Sequence, residues 1–308
     1  MDGALITHQL HSEKLHCKYR HILGWYRIIR ELRENNVRAI CAFEAFERNP
    51  AKRPVSSSPK FRQWRTPQEC NKGTRQYSTL DLSRSLSSPC DDPVIPQIEA
   101  VENHDDPNSK RPTSATYEEI KKLLRALGVP CKNPTGIFEG EAFASSIVRH
   151  GYADYVATTD TDVLVYEVPM IQNIADRSKP LVVTSGVDVR VLLRLDRASF
   201  VDFALLLGTD FTDRIKRVGP VHAIRLIRKY GSIERVIDSM PQRPLPQPLH
   251  IYLARVKDAR QTFGTLAPLP HWKRLQVREP DLEQVSRIMK GCGLSWALQQ
   301  EWDGRNWV

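Results

Sequence analysis

The sequence predicts an α/β fold with a mostly parallel sheet flanked by helices. Three observations predict it. Between residues 117 and 240, short apolar runs suited to strands alternate with segments of helical period, the pattern of a parallel sheet covered by helices. Hydrophobic residues make up 41% and charged residues 26% of 308, values that supply an ample core and exclude wholesale disorder. No run of 18 apolar residues occurs, so no membrane-spanning helix is expected.

The elements follow in order. In residues 20–34, Trp25, Ile28, Ile29 and Leu32 recur at helical spacing, with Arg27, Arg30, Arg33 and Glu34 on the other face, which predicts an amphipathic helix. Asn35-Asn36 ends it, and Val37–Phe43 reads as a buried strand ending at Glu44. From residue 54 to 116, ten Ser and eight Pro replace the periodic apolar positions, so this stretch reads as a long insertion, disordered or functional. Its first part is basic and its end acidic. Ile120, Leu123, Leu124 and Leu127 predict a second helix, stopped by Gly128 and Pro130. A third is expected from Glu139 to Arg149, stopped by Gly151. Tyr155–Thr158 reads as a short strand, with further strands at 163–166, 171–174 and 181–184. Helices are expected at 186–194, 198–207, 221–230, 233–239, 251–263 and 281–290.

Six scattered cysteines with no CxxC pair argue against a zinc ribbon or a disulfide scaffold and for a reducing compartment. His8, His11, His16 and His21 are irregularly spaced and read as solvated or core residues. The N-terminus carries acids and no apolar stretch, unlike a secretory leader. The net charge of +9 is a weak pointer to nucleic acid.

The acids carry more information. Glu139 and Glu141 stand at a helix start, Asp160 and Asp162 at the carboxyl end of a strand, and Asp210 just after an apolar helix. In open α/β sheets the functional crevice lies beyond the carboxyl ends of the strands. Acids gathered there repel each other unless a cation intervenes. Oxygen ligands without His or Cys select Mg²⁺ or Mn²⁺, and two such ions form the usual apparatus for phosphodiester hydrolysis.

The stretch GIFEGEAFASSIVRHGYADYVATTDTDVLVY resembles the internal region of the flap-endonuclease/XPG family of structure-specific nucleases, where a helix bearing E-x-E precedes a strand ending in D-x-D. LLLGTDFTDRIKRVGPVHAIRLIRKYGSIERVI resembles the family's next block, a metal Asp followed by a helix–hairpin–helix. IIRELRENNVRAICAFEAFERNPAKR and MDGALITHQL resemble its N-terminal region. The resemblance implies a PIN-like core, with an N-terminal nuclease part at 1–53, the insertion at 54–116, an internal nuclease part at 117–207, a C-terminal helix–hairpin–helix at 208–240 and a helical extension at 241–308.

Carried over by position, Asp2, Glu44, Glu139, Glu141, Asp160, Asp162 and Asp210 form the acidic cluster for two Mg²⁺ or Mn²⁺ ions. The first four lie nearer the ion that activates the nucleophile, the last three nearer the second. Lys52 matches the base of the family's helical arch and would contact the scissile phosphate, with Lys60 or Arg62 as a second cation and Phe61 and Trp64 stacking on bases. Lys216, Arg217, Gly219, Arg225, Arg228 and Lys229 would hold duplex backbone at the hairpin, where the family often places K⁺.

Three departures stand out. Glu44 occupies a position where the family usually has Asp. Arg217 replaces the first hairpin glycine. The family's first strand precedes the position of Asp2, which here follows only Met1. The resemblance implies a nuclear, monomeric 5′ nuclease acting on DNA with single-strand/duplex junctions such as 5′ flaps, with a mitochondrial place left open. No membrane partner and no sliding-clamp tail is expected. Glu44, Arg217 and the first-strand position favour the competing reading, a non-catalytic nucleic-acid-binding scaffold on the same fold. A third reading is an RNA nuclease.

Overall fold

The computed structural model of the protein describes residues 1–12, 18–44, 49–52 and 112–300. The insertion up to residue 111, with Lys60, Phe61, Arg62 and Trp64, lies outside them, as do His16 and the last eight residues.

The chain opens on a helix that the sequence reading did not foresee, α1 (Gly3–Ser12). Asp2 starts it: its Oδ1 accepts the Leu5 N–H at 2.9 Å, a helix cap. Gly3 permits this start, because a Cβ there would lie 2.7 Å from the Phe43 ring. α2 (Arg20–Glu34) turns its apolar stripe inward, burying Trp25, Ile28, Ile29 and Leu32. Asn36 leaves it at φ 57°, a left-handed position that Asn tolerates. The strand expected over 37–43 pairs only at β1 (Cys41–Ala42).

α3 (Ser114–Ala126) is capped by Thr113, which accepts the Thr116 N–H. Its buried Ile120, Leu123 and Leu124 pack on α2. β2 (Cys131–Lys132) follows, then α4 (Gly140–Arg149) and β3 (Val156–Ala157). Residues 163–166, expected as a strand, instead belong to the helical turn α5 (Asp162–Val165) and its cap. A run of four apolar residues is too short to reveal its period, and the turn at Asp160 starts a helix there. β4 (Pro169–Gln172) lies two residues earlier than expected, and β5 (Val182–Ser185) follows.

β1 pairs parallel with β2, and β3 parallel with β4, while β5 runs antiparallel on β4. Met1 and Asp2 lie between the two pieces: the Ala42 N–H donates to Met1 O and the Asp2 N–H to Ala157 O, both at 2.9 Å. The sheet is therefore mostly parallel, as the sequence predicts.

α6 (Gly186–Leu192) and α7 (Arg197–Leu207) follow the sheet. The region expected as a helix–hairpin–helix is a loop at 208–219 leading into α8 (Pro220–Tyr230) and α9 (Ile233–Asp238). α10 (Leu249–Gly264) packs on α7, while α11 (Leu282–Gly291) and α12 (Ser295–Gln299) close over α3 with Val285, Met289 and Ala297 buried.

Candidate active site

Five carboxylates face one narrow cleft, lined by Lys52, Glu139, Glu141, Asp160, Asp162, Tyr166, Asp210, Phe211 and Phe263. Each acid arrives there for a local reason. Glu139 is the extended residue before α4, and Glu141 stands in that helix's first turn, where the helix dipole favours a negative charge. Thr158, at the end of β3, accepts the Asp160 N–H at 3.1 Å, and Asp160 Oδ1 accepts the Asp162 N–H at 2.9 Å. These two bonds fold the D-x-D stretch into a turn that presents both acids. Asp210 sits at the tip of a tight turn: the Thr209 N–H donates to Thr212 O at 3.1 Å, and the Thr212 hydroxyl donates to Leu205 O at 2.9 Å.

Lys52 reaches in from the end of the N-terminal part. Its ammonium donates to Glu139 Oε1 at 2.7 Å and Asp210 Oδ2 at 3.0 Å, and its side chain is 18% exposed. Buried Asn49 aims it: the Asn49 side chain accepts the Ala51 N–H at 2.9 Å, and Asn49 O accepts the Lys52 N–H at 3.1 Å. The surrounding acids hold the Lys52 pKa up against burial, Asp210 first, then Glu141 and Glu44.

Burial, then repulsion from Glu44, Asp2 and Asp160, raises the Glu141 carboxyl well above its usual range. Burial raises Asp160 as well, against the Asp162 N–H and with Asp210 adding repulsion. Such shifts mark a site short of positive charge. Glu44 stands at an exposed rim, yet the protein around its carboxyl raises its pKa, with Lys52 opposing and Asp2 adding. Asp2 lies behind the cleft rather than in its wall. It is 4% exposed, its Oδ2 accepts the Thr158 hydroxyl at 3.0 Å, and burial raises its carboxyl.

The donor chemistry, though not the present spacing, suits a hard divalent cation. It is all carboxylate, and Glu141 Oε2 is buried with no hydrogen-bond partner. Among the described residues, no three His, Cys, Asp or Glu side chains converge closely enough to hold an ion. In the cleft, the Lys52 ammonium supplies the positive charge between Glu139 and Asp210.

Sequence reasoning missed the aromatic wall. Phe211 adjoins Asp210 and Tyr166 ends the D-x-D block, so proximity could have flagged both. Phe263 comes from α10 with no local signal. Burial, then Asp162 and Glu141, raises the Tyr166 phenol.

At the expected hairpin, Arg217 adopts φ 63° although the left-handed region costs a side-chain-bearing residue energy. Arg243 Nη1 donates to its carbonyl at 3.1 Å, and His222 Nδ1 lies 3.5 Å from the same oxygen. Lys216, Arg217, Arg225 and Lys229 are exposed, and Gly219 precedes α8. Arg228 is differently engaged: its Nε and Nη2 donate to Leu193 O at 3.0 and 2.8 Å, so it ties α8 to the end of α6. His21 is buried against His11, in keeping with a core role.

Residues 128–210 match the XPG I-region family. Over 135 residues the chain is 40% identical to an uncharacterized protein of Schizosaccharomyces pombe, a match covering 42% of this chain and 27% of that protein. Over 140 residues it is 38% identical to flap endonuclease 1 of Uncinocarpus reesii, covering 44% of this chain and 34% of the enzyme. The chain thus matches about a third or less of these relatives' length. Flap endonuclease-1 from Methanococcus jannaschii shares the fold with a TM-score of 0.65 at 17% identity, over 97% of this chain and 89% of that one. The Holliday-junction-resolving enzyme GEN1, in complex with product DNA, Mg²⁺ and Mn²⁺, shares it with a TM-score of 0.56 at 14% identity, over 94% of this chain and 63% of that one.

Proposed function

We propose that this chain, which carries an XPG I-region on a flap-endonuclease fold, is a divalent-cation-dependent 5′ nuclease that hydrolyses phosphodiesters in DNA at single-strand/duplex junctions. The observation that carries this reading is that Glu139, Glu141, Asp160, Asp162 and Asp210 line one cleft together with Lys52. These acids would hold two Mg²⁺ or Mn²⁺ ions, with Glu44 at the rim and Asp2 behind as further negative charge. When bound, hard divalent cations supply Lewis-acid activation of water and neutralise charge on the phosphate.

The chain's own residues do the rest. Glu139 and Glu141, fixed by the start of α4, and Asp160, Asp162 and Asp210, fixed by their turns, set the geometry that the reaction needs. Lys52 pairs with the scissile phosphate, and Arg62 adds a second cation. Phe211, Phe263 and Tyr166 close one side of the cleft against water. Lys216, Arg217, Arg225 and Lys229 hold the duplex backbone in register without reading its sequence, with Gly219 opening α8 toward it and K⁺ as an accessory ion at the turn. Hydrolysis would leave a 5′-phosphate and a 3′-hydroxyl.

A role in DNA repair or replication, in the nucleus and as a monomer, belongs to the same reading. Among the described residues no helix is long and apolar enough to cross a membrane.

The second reading, a non-catalytic DNA-binding scaffold, is favoured by Glu44 at the cleft rim and by the Arg217 hairpin. Cleavage of a labelled 5′-flap duplex in Mg²⁺ and in EDTA separates the two. A nuclease cuts only in Mg²⁺, and Asp160→Ala slows it by about 100-fold or more while flap binding persists. No Mg²⁺-dependent product from the wild-type chain would establish the scaffold.

A further inference from the structure

Lys52 is placed where a cation, rather than a phosphate, belongs. Its ammonium bridges Glu139 at the start of α4 and Asp210 after α7, at 2.7 and 3.0 Å. Those are two of the five acids in the cleft wall, and they come from opposite ends of the I-region match. Lys52 and Glu139 are both largely buried, so their pairing is poorly hydrated and stronger than a surface ion pair, while Asp210 is half exposed and its pairing is the weaker of the two. The Asn49 turn holds the backbone, while the four-carbon stem remains rotatable and its ammonium is a point charge without fixed directionality. Beside this pairing, Glu141 Oε2 is buried without a partner, so one lysine does not satisfy the whole cluster.

We propose that Lys52 is a stand-in cation: it holds the acid cleft together in the metal-free protein, and it leaves Glu139 and Asp210 when a divalent cation binds them. The inference rests on the reading of the cleft as a divalent-cation site. A doubly charged ion on Glu139 or Asp210 would lie beside the Lys52 ammonium and repel it, so the two cannot share those oxygens. An incoming phosphate offers the displaced ammonium a new partner. DNA arrival and cation loading therefore assist each other through one side chain, a coupling that must be reciprocal.

The test measures Mn²⁺ binding to the full chain, by electron paramagnetic resonance of the free ion, for wild type, Lys52→Met and Lys52→Arg. With its competitor removed, Lys52→Met should bind Mn²⁺ about tenfold more tightly, while Lys52→Arg, which keeps the charge, stays within about twofold of wild type. A 5′-flap duplex should tighten Mn²⁺ binding in the wild type and much less in Lys52→Met. Without metal, Lys52→Met should melt below wild type, and saturating Mn²⁺ should close the gap.

Measurable but equal Mn²⁺ affinities in wild type and Lys52→Met would overturn the role of Lys52 and leave the cation site standing. No Mn²⁺ binding by any of the three would overturn the site reading and this inference with it. Should Lys52→Met not fold without metal, the wild-type chain decides alone: Mn²⁺ affinity unaffected by flap DNA overturns the coupling.

Discussion

The Thr158 hydroxyl donates to Asp2 Oδ2 at 3.0 Å and accepts the Asp160 N–H at 3.1 Å. One side chain at the end of β3 thus joins the start of the chain to the D-x-D turn. Asp2 completes the link by capping α1 through its other oxygen. Thr158→Val leaves the buried Asp2 oxygen and the Asp160 N–H without this partner and should cost about 1–3 kcal/mol, read by chemical denaturation of the metal-free protein. Asp2→Asn keeps an oxygen for the cap and removes a charge from behind the cluster, so it should fold at least as stably. An unchanged midpoint in Thr158→Val would show that the link carries no stability.

The raised carboxyls make the metal-free protein sensitive to pH. Glu141 sits well above the ordinary 4.5, and Asp160 above 3.8. The folded state therefore binds protons that the unfolded chain has released. Stability from these groups is fully present below the ordinary values and is lost as pH rises through the raised ones. In EDTA the melting temperature should fall as the pH rises above the ordinary carboxylate range, and saturating Mg²⁺ or Mn²⁺ should flatten or reverse that trend. Calorimetric profiles that coincide with and without the divalent ion would show that these carboxylates do not bind it.

Arg217→Gly separates conformation from charge. Relief of the left-handed conformation gains about 1 kcal/mol, and the freer unfolded chain returns a similar amount. Stability should therefore change little. DNA affinity should weaken, and its log–log salt slope should shrink by about 0.9 if the guanidinium pairs with one phosphate. A slope equal to wild type would remove Arg217 from the backbone contacts.

Arg260 clamps α7 to α9 from α10. Its Nη2 donates to Asp202 Oδ2 at 2.7 Å and its Nη1 to Glu234 Oε1 at 2.6 Å, with Asp202 only 3% exposed. Arg260→Met strands the Asp202 charge and should cost about 3 kcal/mol near neutral pH, while Asp202→Asn in the same chain should recover part of it. The Arg260 pairing holds Glu234 down to about 2. Its contribution is present above the ordinary 4.5 and is lost as the pH falls through 2. Equal urea midpoints for Arg260→Met and wild type would show that the clamp is dispensable.

The parts of the site legible in the sequence are those whose cause is local. Glu139 and Glu141 are set by one helix start, Asp160 and Asp162 by one strand end, and Asp210 by one turn after an apolar helix. Each fits within a few residues, and so do the stripe of α2 and that of α3. Where the local signal was short it misled: 163–166 carries four apolar residues and forms a helical turn, and α1 needs the Asp2 cap and the close approach of Phe43 to Gly3 before its helical character is apparent.

The sequence by itself determined the class of fold, the order of most helices and the chemistry of the acids, because periodicity and residue type act over a turn or a strand. Only the tertiary structure decided that Met1 and Asp2 lie between β1 and β3, with Asp2 spent on Thr158 and a helix cap. Packing alone also brings Phe263 to the cleft wall, turns Arg228 to Leu193 and seats Lys52 between Glu139 and Asp210. Apart from the local cap, those contacts join residues 35 to 158 positions apart. No local propensity encodes them; they exist because the sheet and its covering helices close on one core, which fixes the distances between side chains that the chain itself leaves free.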